Sequence, residues 1–564
     1  MQSYDVIIIG AGHAGTEAAA AAYRLGRRVL IITKAPSDFG ALSCNPSIGG
    51  PGKSQMIAEI AAMGGVMSAA ADRAGIHFRM LNSSQGPATR ALRAQIDRIL
   101  YHKAVMDKMV GIDVIYESVN VLDLEKKTVN GKYAADAVVI AVGTFLNGLV
   151  IRGDERIASG RLMDNGVYQE NTPGITDILR TAGFEIIRLK TGTPSRLYAD
   201  SIDFSKCEVQ APDENHEWFS SGIINYELRI KNYVNCHITH TTEATHQIIR
   251  DNIKNAPMYN GNIRGIGPRY CPSIEDKVMR FPEHLSHHVF LEPESADGGI
   301  IYPAGISTSF GADVQDMFLR SIPGLSNVRV ARYGYAIEYD AIDARELTQS
   351  LESKKHPGVY FAGQINGTSG YEEAAGQGII AGYYAALNSR DCTASRTHPD
   401  TNTLVIDRAN SMIGVMIDDI TTNGIDEPYR MFSSRAEYRL SLRADNAIAR
   451  IGDMARAAGL ITDEQYEAIY AANRAKIEAT DALYAGYIKQ QNTKIERMRA
   501  DKLIKLPPDL DYSTMSGLTN ELRQKLGRLR PEAIADAVRI QGMTPAAILI
   551  LLSHAKAKKL KIVN

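Results

Sequence analysis

Asp5-Val-Ile-Ile-Ile-Gly-Ala-Gly-His-Ala-Gly-Thr16 and Gly358-Val-Tyr-Phe-Ala-Gly-Gln-Ile-Asn-Gly-Thr-Ser-Gly-Tyr-Glu-Glu-Ala-Ala-Gly-Gln-Gly378 are the stretches whose reading decides the fold. In the first, a continuous apolar run reads as a buried parallel strand, and Gly10, Gly12 and Gly15 form a G-x-G-x-x-G turn that opens a helix. The N–H groups at such a helix start suit a pyrophosphate. A lone G-x-G-x-x-G is weak evidence, because glycine-rich turns between strand and helix are common. Its context is stronger: Thr16 to Leu25 reads as an alanine-rich helix and Val29 to Thr33 as the next parallel strand, completing a βαβ unit. The second stretch looks built to hold the other half of the same dinucleotide.

One part of the usual pattern is missing. Val29-Leu-Ile-Ile-Thr-Lys34 ends in Thr33 and Lys34, where such units usually place an acid for the ribose. Ribose recognition must therefore differ from the usual carboxylate contact.

At 564 residues the chain is long enough for about two to four domains with sizeable cores. The longest late apolar run, Ala546 to Leu552, is far too short to span a bilayer, and the N-terminus shows no signal-peptide pattern, so a cytoplasmic protein with no membrane role is expected. Cys44, Cys207, Cys236, Cys271 and Cys392 are an odd, scattered set of five without C-x-x-C. Neither a disulfide framework nor a zinc site is indicated. A net charge of -1 argues against a uniformly basic nucleic-acid binder. From Lys494 to Asn564, however, 14 Lys/Arg stand against 7 Asp/Glu, which makes a locally basic C-terminal module.

The pattern along the chain implies an α/β fold: a segmented Rossmann-like dinucleotide-binding domain (1–199 and 299–395), an inserted domain (200–298) and an all-helical C-terminal region (396–564). Ala137 to Val142 reads as a further strand, leading into the glycine turn Gly143 to Gly148. The insertion is marked by a change of character, with the only tryptophan, Trp218, and many histidines. Leu506-Pro-Pro-Asp509 separates a last helical cluster.

Several long blocks resemble the MnmG (GidA) family, flavoprotein partners in tRNA wobble-uridine carboxymethylaminomethyl modification. They are Gly10 to Gly15, Cys44-Asn-Pro-Ser-Ile-Gly-Gly50, Gly86 to Arg98, Arg188-Leu-Lys-Thr-Gly-Thr-Pro194, Gly267-Pro-Arg-Tyr-Cys-Pro-Ser-Ile-Glu-Asp-Lys277, Phe361 to Gly367 and Glu427 to Arg439. The chain departs from the family at Gln85, Pro51 and Ser54, and in a shorter helical stretch between about Lys476 and Tyr487. The resemblance implies FAD as cofactor, NADH as reductant, tRNA as substrate and an MnmE-type GTPase that brings a folate one-carbon unit, so that 1–199 and 299–395 become a segmented Rossmann-like FAD-binding domain and 200–298 an inserted NADH-handling domain. It also implies a homodimer and a heterotetramer with the GTPase. Cofactor contacts are implied at Gly10, Ala11, Gly12, His13, Ala14, Gly15, Val119, Thr176, Gly363 and Gln364, and at Gly267, Pro268, Arg269, Tyr270 and Lys277.

C5 of uridine is a poor nucleophile, and a thiolate added at C6 activates it. Cys44 and Cys271 match the family's two motif cysteines and are the candidate catalytic residues, against the default of a small buried hydrophobe. No metal ligand set is indicated. Two rival functions stand beside this one: a TrmFO-like folate-dependent tRNA uridine methyltransferase, and a non-catalytic RNA-binding protein that retains FAD.

Other features carry two readings each. Ser47 to Ser54 resembles a P-loop, but Ser47 stands where its first glycine should be, so a backbone-lined flavin or substrate loop is expected. Arg435, Arg439 and Arg443 would share one face of a helix, either paired with carboxylates or meeting RNA phosphates; Arg90, Arg93 and Arg98 pose the same question. Glu372 and Glu373 at a helix start suit either capping or catalysis. Lys556, Lys558, Lys559 and Lys561 either meet tRNA phosphates or complement a helix C-terminus.

Overall fold

The computed structural model describes residues 1–163, 165–220, 233–270, 272–388, 404–502, 504–538, 540 and 543–563, without the side chains of 494, 497–502, 535, 545 and 556–563. The strand Gln2–Ile9 lies at the centre of a seven-stranded sheet, parallel to Val29–Thr33 on one side and to Tyr133–Ile140 on the other. Val6, Ile7 and Ile8 are fully buried, as a parallel strand covered on both faces requires.

Val359–Phe361 returns to this sheet late in the chain, parallel to Tyr133–Ile140 with Phe361 opposite Ile140. Ile9 is opposite both Ile32 and Ile140. The strands therefore end level along one edge, and the turns that follow them, at Gly10, Lys34, Ala141 and Gly363, gather there. Ligands of open α/β sheets bind at this carboxyl edge. The helices His13–Arg24 and Tyr371–Leu387 lie against each other because Gly378 and Gly382 have no side chain; a Cβ at either would stand 2.2 or 2.3 Å from the carbonyl oxygens of Ala14 and Ala18.

The strands Ile186–Thr193 and Tyr335–Ile342 pair antiparallel along their whole length, and the inserted unit hangs between them. It is a six-stranded sheet with its own core from Leu197 to Val328. The expected limits of 200–298 are corrected by this sheet. Ile300–Ala304 pairs antiparallel with His288–Pro293, and the helix Ala312–Arg320 buries Val314, Phe318 and Leu319 in the same core. Gly298-Gly299, read as a domain boundary, belongs to the turn of this hairpin, a common use of paired glycines.

Every named element after residue 404 is helical. Met412–Asp418 and Ala447–Ala457 pack on the main core, while Leu506 to Ala555 forms a separate small core. Among the described residues no helix is long and apolar enough to cross a membrane.

Candidate functional site

A cavity of about 580 Å³ opens at the carboxyl edge of the parallel sheet, and both glycine stretches line it. Gly10, Ala11, Gly12, His13 and Ala14 form one wall; Val119, Gly363 and Gln364 line it further along, with Gly143 to Phe145 from the turn after Tyr133–Ile140. Cys44 and Pro268 are on the same wall surface.

The three glycines of the first turn serve different ends. A Cβ at Gly10 would stand 2.4 Å from the Ala141 carbonyl oxygen and one at Gly15 1.9 Å from that of Gly10, whereas a Cβ at Gly12 would meet no protein atom within 4 Å. Gly10 and Gly15 therefore close the turn against the protein, and Gly12 keeps the space in front of the helix clear. Gly12 is the N-cap, without a side-chain cap and with no acid in the first helical turn. His13 stacks on Tyr371 with ring centroids 4.6 Å apart. Its buried Nε2 has no partner among the described residues, and burial lowers its pKa to about 4. The helix thus presents uncharged N–H donors to the cavity, and an unsatisfied ring nitrogen is buried at its start.

The acid missing from the end of Val29–Thr33 is found five residues after Thr33, turned to another use. Asp38 accepts hydrogen bonds from Thr33 Oγ1 (2.7 Å), Ala35 N (2.9 Å), Arg161 Nη2 (2.8 Å) and Gln169 Nε2 (2.9 Å). A different carboxylate, Glu117, lines the cavity just beyond the neighbouring strand Asp113–Tyr116. The hydrogen bond from Lys132 Nζ (2.8 Å) holds it below the usual carboxylate range.

Cys44 is gripped from three elements. Its N–H donates to the Tyr371 hydroxyl (2.8 Å), its carbonyl accepts from Arg196 Nη2 (2.7 Å), and its Sγ lies 3.3 Å from the Tyr302 hydroxyl. Burial works against the charge on Arg196, but Glu294, 2.8 Å from Nε, outweighs it and holds the pKa above its ordinary value. The guanidinium also lies 4.6 Å above the Tyr302 ring. Tyr302 belongs to the inserted unit, so the thiol stands at the seam between the two cores.

Lys53, the first residue of the helix Lys53–Ala62, is buried and paired with Glu372 (3.3 Å) and Glu373. Glu372 also accepts from Gly49 N and Glu373 from Met431 N, both at 2.8 Å. Burial would raise the Glu372 pKa, but Lys53 and the Gly49 N–H reverse this and hold it low.

Other sequence candidates lie elsewhere. Thr176 faces away from the cavity and donates to Asp340 Oδ2 (3.1 Å), while Thr172 and Ile175 line the wall. Arg269 pairs with Glu427 and Tyr270 packs on Phe432 without lining the cavity, Gly267 contributes no wall, and Lys277 Nζ donates to the Gly305 carbonyl (2.6 Å). Cys271 and Cys392 lie outside the described residues, as do the side chains of Lys556, Lys558, Lys559 and Lys561. Cys236 is buried, and burial raises its pKa. Among the described residues no group of three or more His, Cys, Asp or Glu could hold a metal ion.

The helix expected through Arg435, Arg439 and Arg443 is absent. A short 3-10 turn, Ser433–Arg435, is followed by turns up to Ala447, and the arginines separate. Arg435 lies 4.3 Å above the Tyr429 ring, Arg443 is buried against Asp445 and Asp481, and Arg439 is exposed. Arg93 and Arg98 take the paired reading, with Glu292 (2.6 Å) and Glu294 (2.9 Å).

Residues 5–393 match the family model described as Glucose inhibited division protein A, and residues 494–562 match that of the tRNA modifying enzyme MnmG/GidA C-terminal helical bundle. The structure of Aquifex aeolicus GidA in its form II crystal is 38% identical and covers 98% of each chain, with a TM-score of 0.85. The form I crystal is 40% identical, covering 98% of this chain and 100% of that chain, also with a TM-score of 0.85. With the family models spanning both the cavity-bearing body and the last helical cluster, the chain belongs to the MnmG/GidA family of tRNA-modifying enzymes.

Proposed function

We propose that the chain is an FAD- and NADH-dependent enzyme that, with an MnmE-type GTPase, adds an aminomethyl or carboxymethylaminomethyl group to C5 of the wobble uridine of tRNA from a folate-derived carbon. The observation that supports this best is one cavity shared by the Gly10 to Ala14 turn, Gly363, Gln364 and the Cys44 loop. The clear space before Gly12 and the unpartnered His13 Nε2 fit FAD. When bound, FAD would pass reducing equivalents from NADH to the carbon being transferred.

The residues then divide the work. The free N–H groups at the start of His13–Arg24 would take the pyrophosphate, and Glu117 is an ionised acceptor suited to ribose hydroxyls. Val119, Gly363 and Gln364 line the same site, and the inserted unit, with Gly267, Pro268, Arg269, Tyr270 and Lys277, takes the NADH role. A cysteine thiolate, from Cys44 or Cys271, adds to C6 of uridine and pushes the C5–C6 electron pair onto O4. C5 then attacks the electrophilic carbon; loss of the C5 proton and cleavage of the C6–S bond return the thiolate. Tyr302 is placed to donate a hydrogen bond to the Cys44 sulfur once its proton has left, and Arg196 fixes the loop that carries it. A homodimer, joined by the GTPase in a heterotetramer, is the assembly this reading expects.

Nucleoside mass spectrometry of wobble uridine, in cells lacking the chain and rescued by wild type or Cys44→Ser, tests it. Serine is nearly isosteric but a far weaker nucleophile, so the variant should keep its flavin and fail to restore the modified nucleoside. Full rescue would remove Cys44 from the chemistry, and an unchanged nucleoside profile on deletion would overturn the function.

A further inference from the structure

Pro268 and Arg430 both line the cavity, and two residues beyond each stands an aromatic ring. Tyr270 and Phe432 have ring centroids 4.3 Å apart at 48°, and Tyr270 is 52% exposed. The two segments are locked together and to the site. Arg269 N and Nε both donate to Glu427 Oε2 at 3.2 Å, and Met431 N donates to Glu373 Oε1 at 2.8 Å. Phe432 presses its backbone on the Gly52 turn, where a Cβ would stand 2.9 Å from the Phe432 Cα.

Arg430 supplies the second observation. It is part-buried at the cavity wall, its carbonyl accepts from Arg435 Nε (2.9 Å), and its guanidinium makes no hydrogen bond or ion pair with the described residues. The carboxylate whose field it feels, Glu372, is already held by Lys53.

A rigid, half-exposed aromatic ledge beside an unpaired guanidinium has the two elements that grip single-stranded RNA: a π-face for an unstacked base and a cation for its phosphate. We propose that Tyr270 and Phe432 stack an unpaired nucleobase of the RNA loop that presents the target uridine, and that Arg430 meets its phosphate. This rests on the tRNA reading above. Neither ring lines the cavity, which favours a nucleotide of a large substrate over the ring of a small cofactor enclosed by it.

The test uses the full chain loaded with FAD and a fluorescein-labelled anticodon stem-loop RNA carrying an unmodified wobble uridine, with Kd read by anisotropy across a salt series. Tyr270→Leu and Phe432→Leu keep apolar bulk but remove the π-face, and each should weaken binding at least roughly fivefold without changing the salt slope. Tyr270→Phe should bind like wild type. Arg430→Gln should flatten the salt slope by roughly one unit. FAD content should stay unchanged in all variants, and the KM for NADH in Phe432→Leu, whose ring has no part in the NADH role. Wild-type RNA affinity in both leucine variants, or a raised KM for NADH in Phe432→Leu with RNA affinity intact, overturns the ledge alone. Failure of the wild-type protein to bind this RNA overturns the tRNA reading together with it.

Discussion

Two glycine-rich turns open helices onto the same cavity, and they serve opposite ends. At His13–Arg24 the N-cap Gly12 faces open space, and the first turn carries no acid and a neutral histidine. At Lys53–Ala62 the N-cap Gly52 is pressed against Phe432, the Lys53 and Ser54 N–H groups donate to the Gly50 carbonyl, and the Lys53 ammonium holds Glu372 and Glu373. Both helix starts favour an anion. The first leaves its N–H groups open, while the second turns them on its own backbone and sets two of the protein's carboxylates on Lys53. A glycine turn before a helix therefore marks a phosphate site only where the protein itself has not supplied the negative charge.

The comparison can be broken most forcefully at Lys53. Lys53→Met leaves two buried carboxylates without their cation and should cost about 3–5 kcal/mol of stability in urea unfolding, with FAD affinity per folded chain unchanged. A loss under about 1 kcal/mol, or lost flavin in a stable protein, would make this turn a ligand site like the first.

At the other turn, pH sharpens the contrast. The folded-state pKa of His13, about 4, lies below its unfolded value, so its contribution is fully present above about pH 6.5 and is lost as pH falls towards 4, because only the unfolded chain takes up the proton. In flavin-free protein, His13→Gln should lessen the acid-side loss of stability by up to about 3 kcal/mol at pH 4. Parallel stability curves for the two proteins between pH 7 and 4 would show that His13 is not buried neutral.

The smallest effect is expected at Gly52, whose φ is +77°. Gly52→Ala should lower stability by at least about 1–2 kcal/mol from backbone strain, leaving flavin stoichiometry intact. A melting temperature equal to wild type would show that Phe432 does not press on this turn.

What the sequence made legible was local. The run from Val6 to Ile9, the glycines after it and the alanines beyond are contiguous, so period and turn chemistry reveal strand, turn and helix together. The cluster around Cys44 was not legible, because Arg196, Tyr302 and Tyr371 come from elements far apart in the chain and carry no spacing signal. The same non-locality hid Glu117 and the use of Asp38. The limit at 298 misled because it followed a change of composition, whereas the unit's extent is set by the pairing of His288–Pro293 with Ile300–Ala304, which composition does not reveal. Thr176 turns to Asp340 while Ile175 lines the wall, because one residue along a helix turns a side chain by roughly 100°. The arginine series misled because a periodicity over about two helical turns was read where Arg435, Arg439 and Arg443 find separate surroundings.

Titration of flavin-free wild type and Gly12→Val with FAD, followed by flavin fluorescence beside a melting curve of each, tests most directly whether the open turn is the cofactor's cradle. A Cβ at Gly12 meets no protein atom within 4 Å, so the variant should melt like wild type yet bind no FAD, its side chain filling the approach to the pyrophosphate. One FAD bound per chain in Gly12→Val, with wild-type affinity, would contradict the assignment.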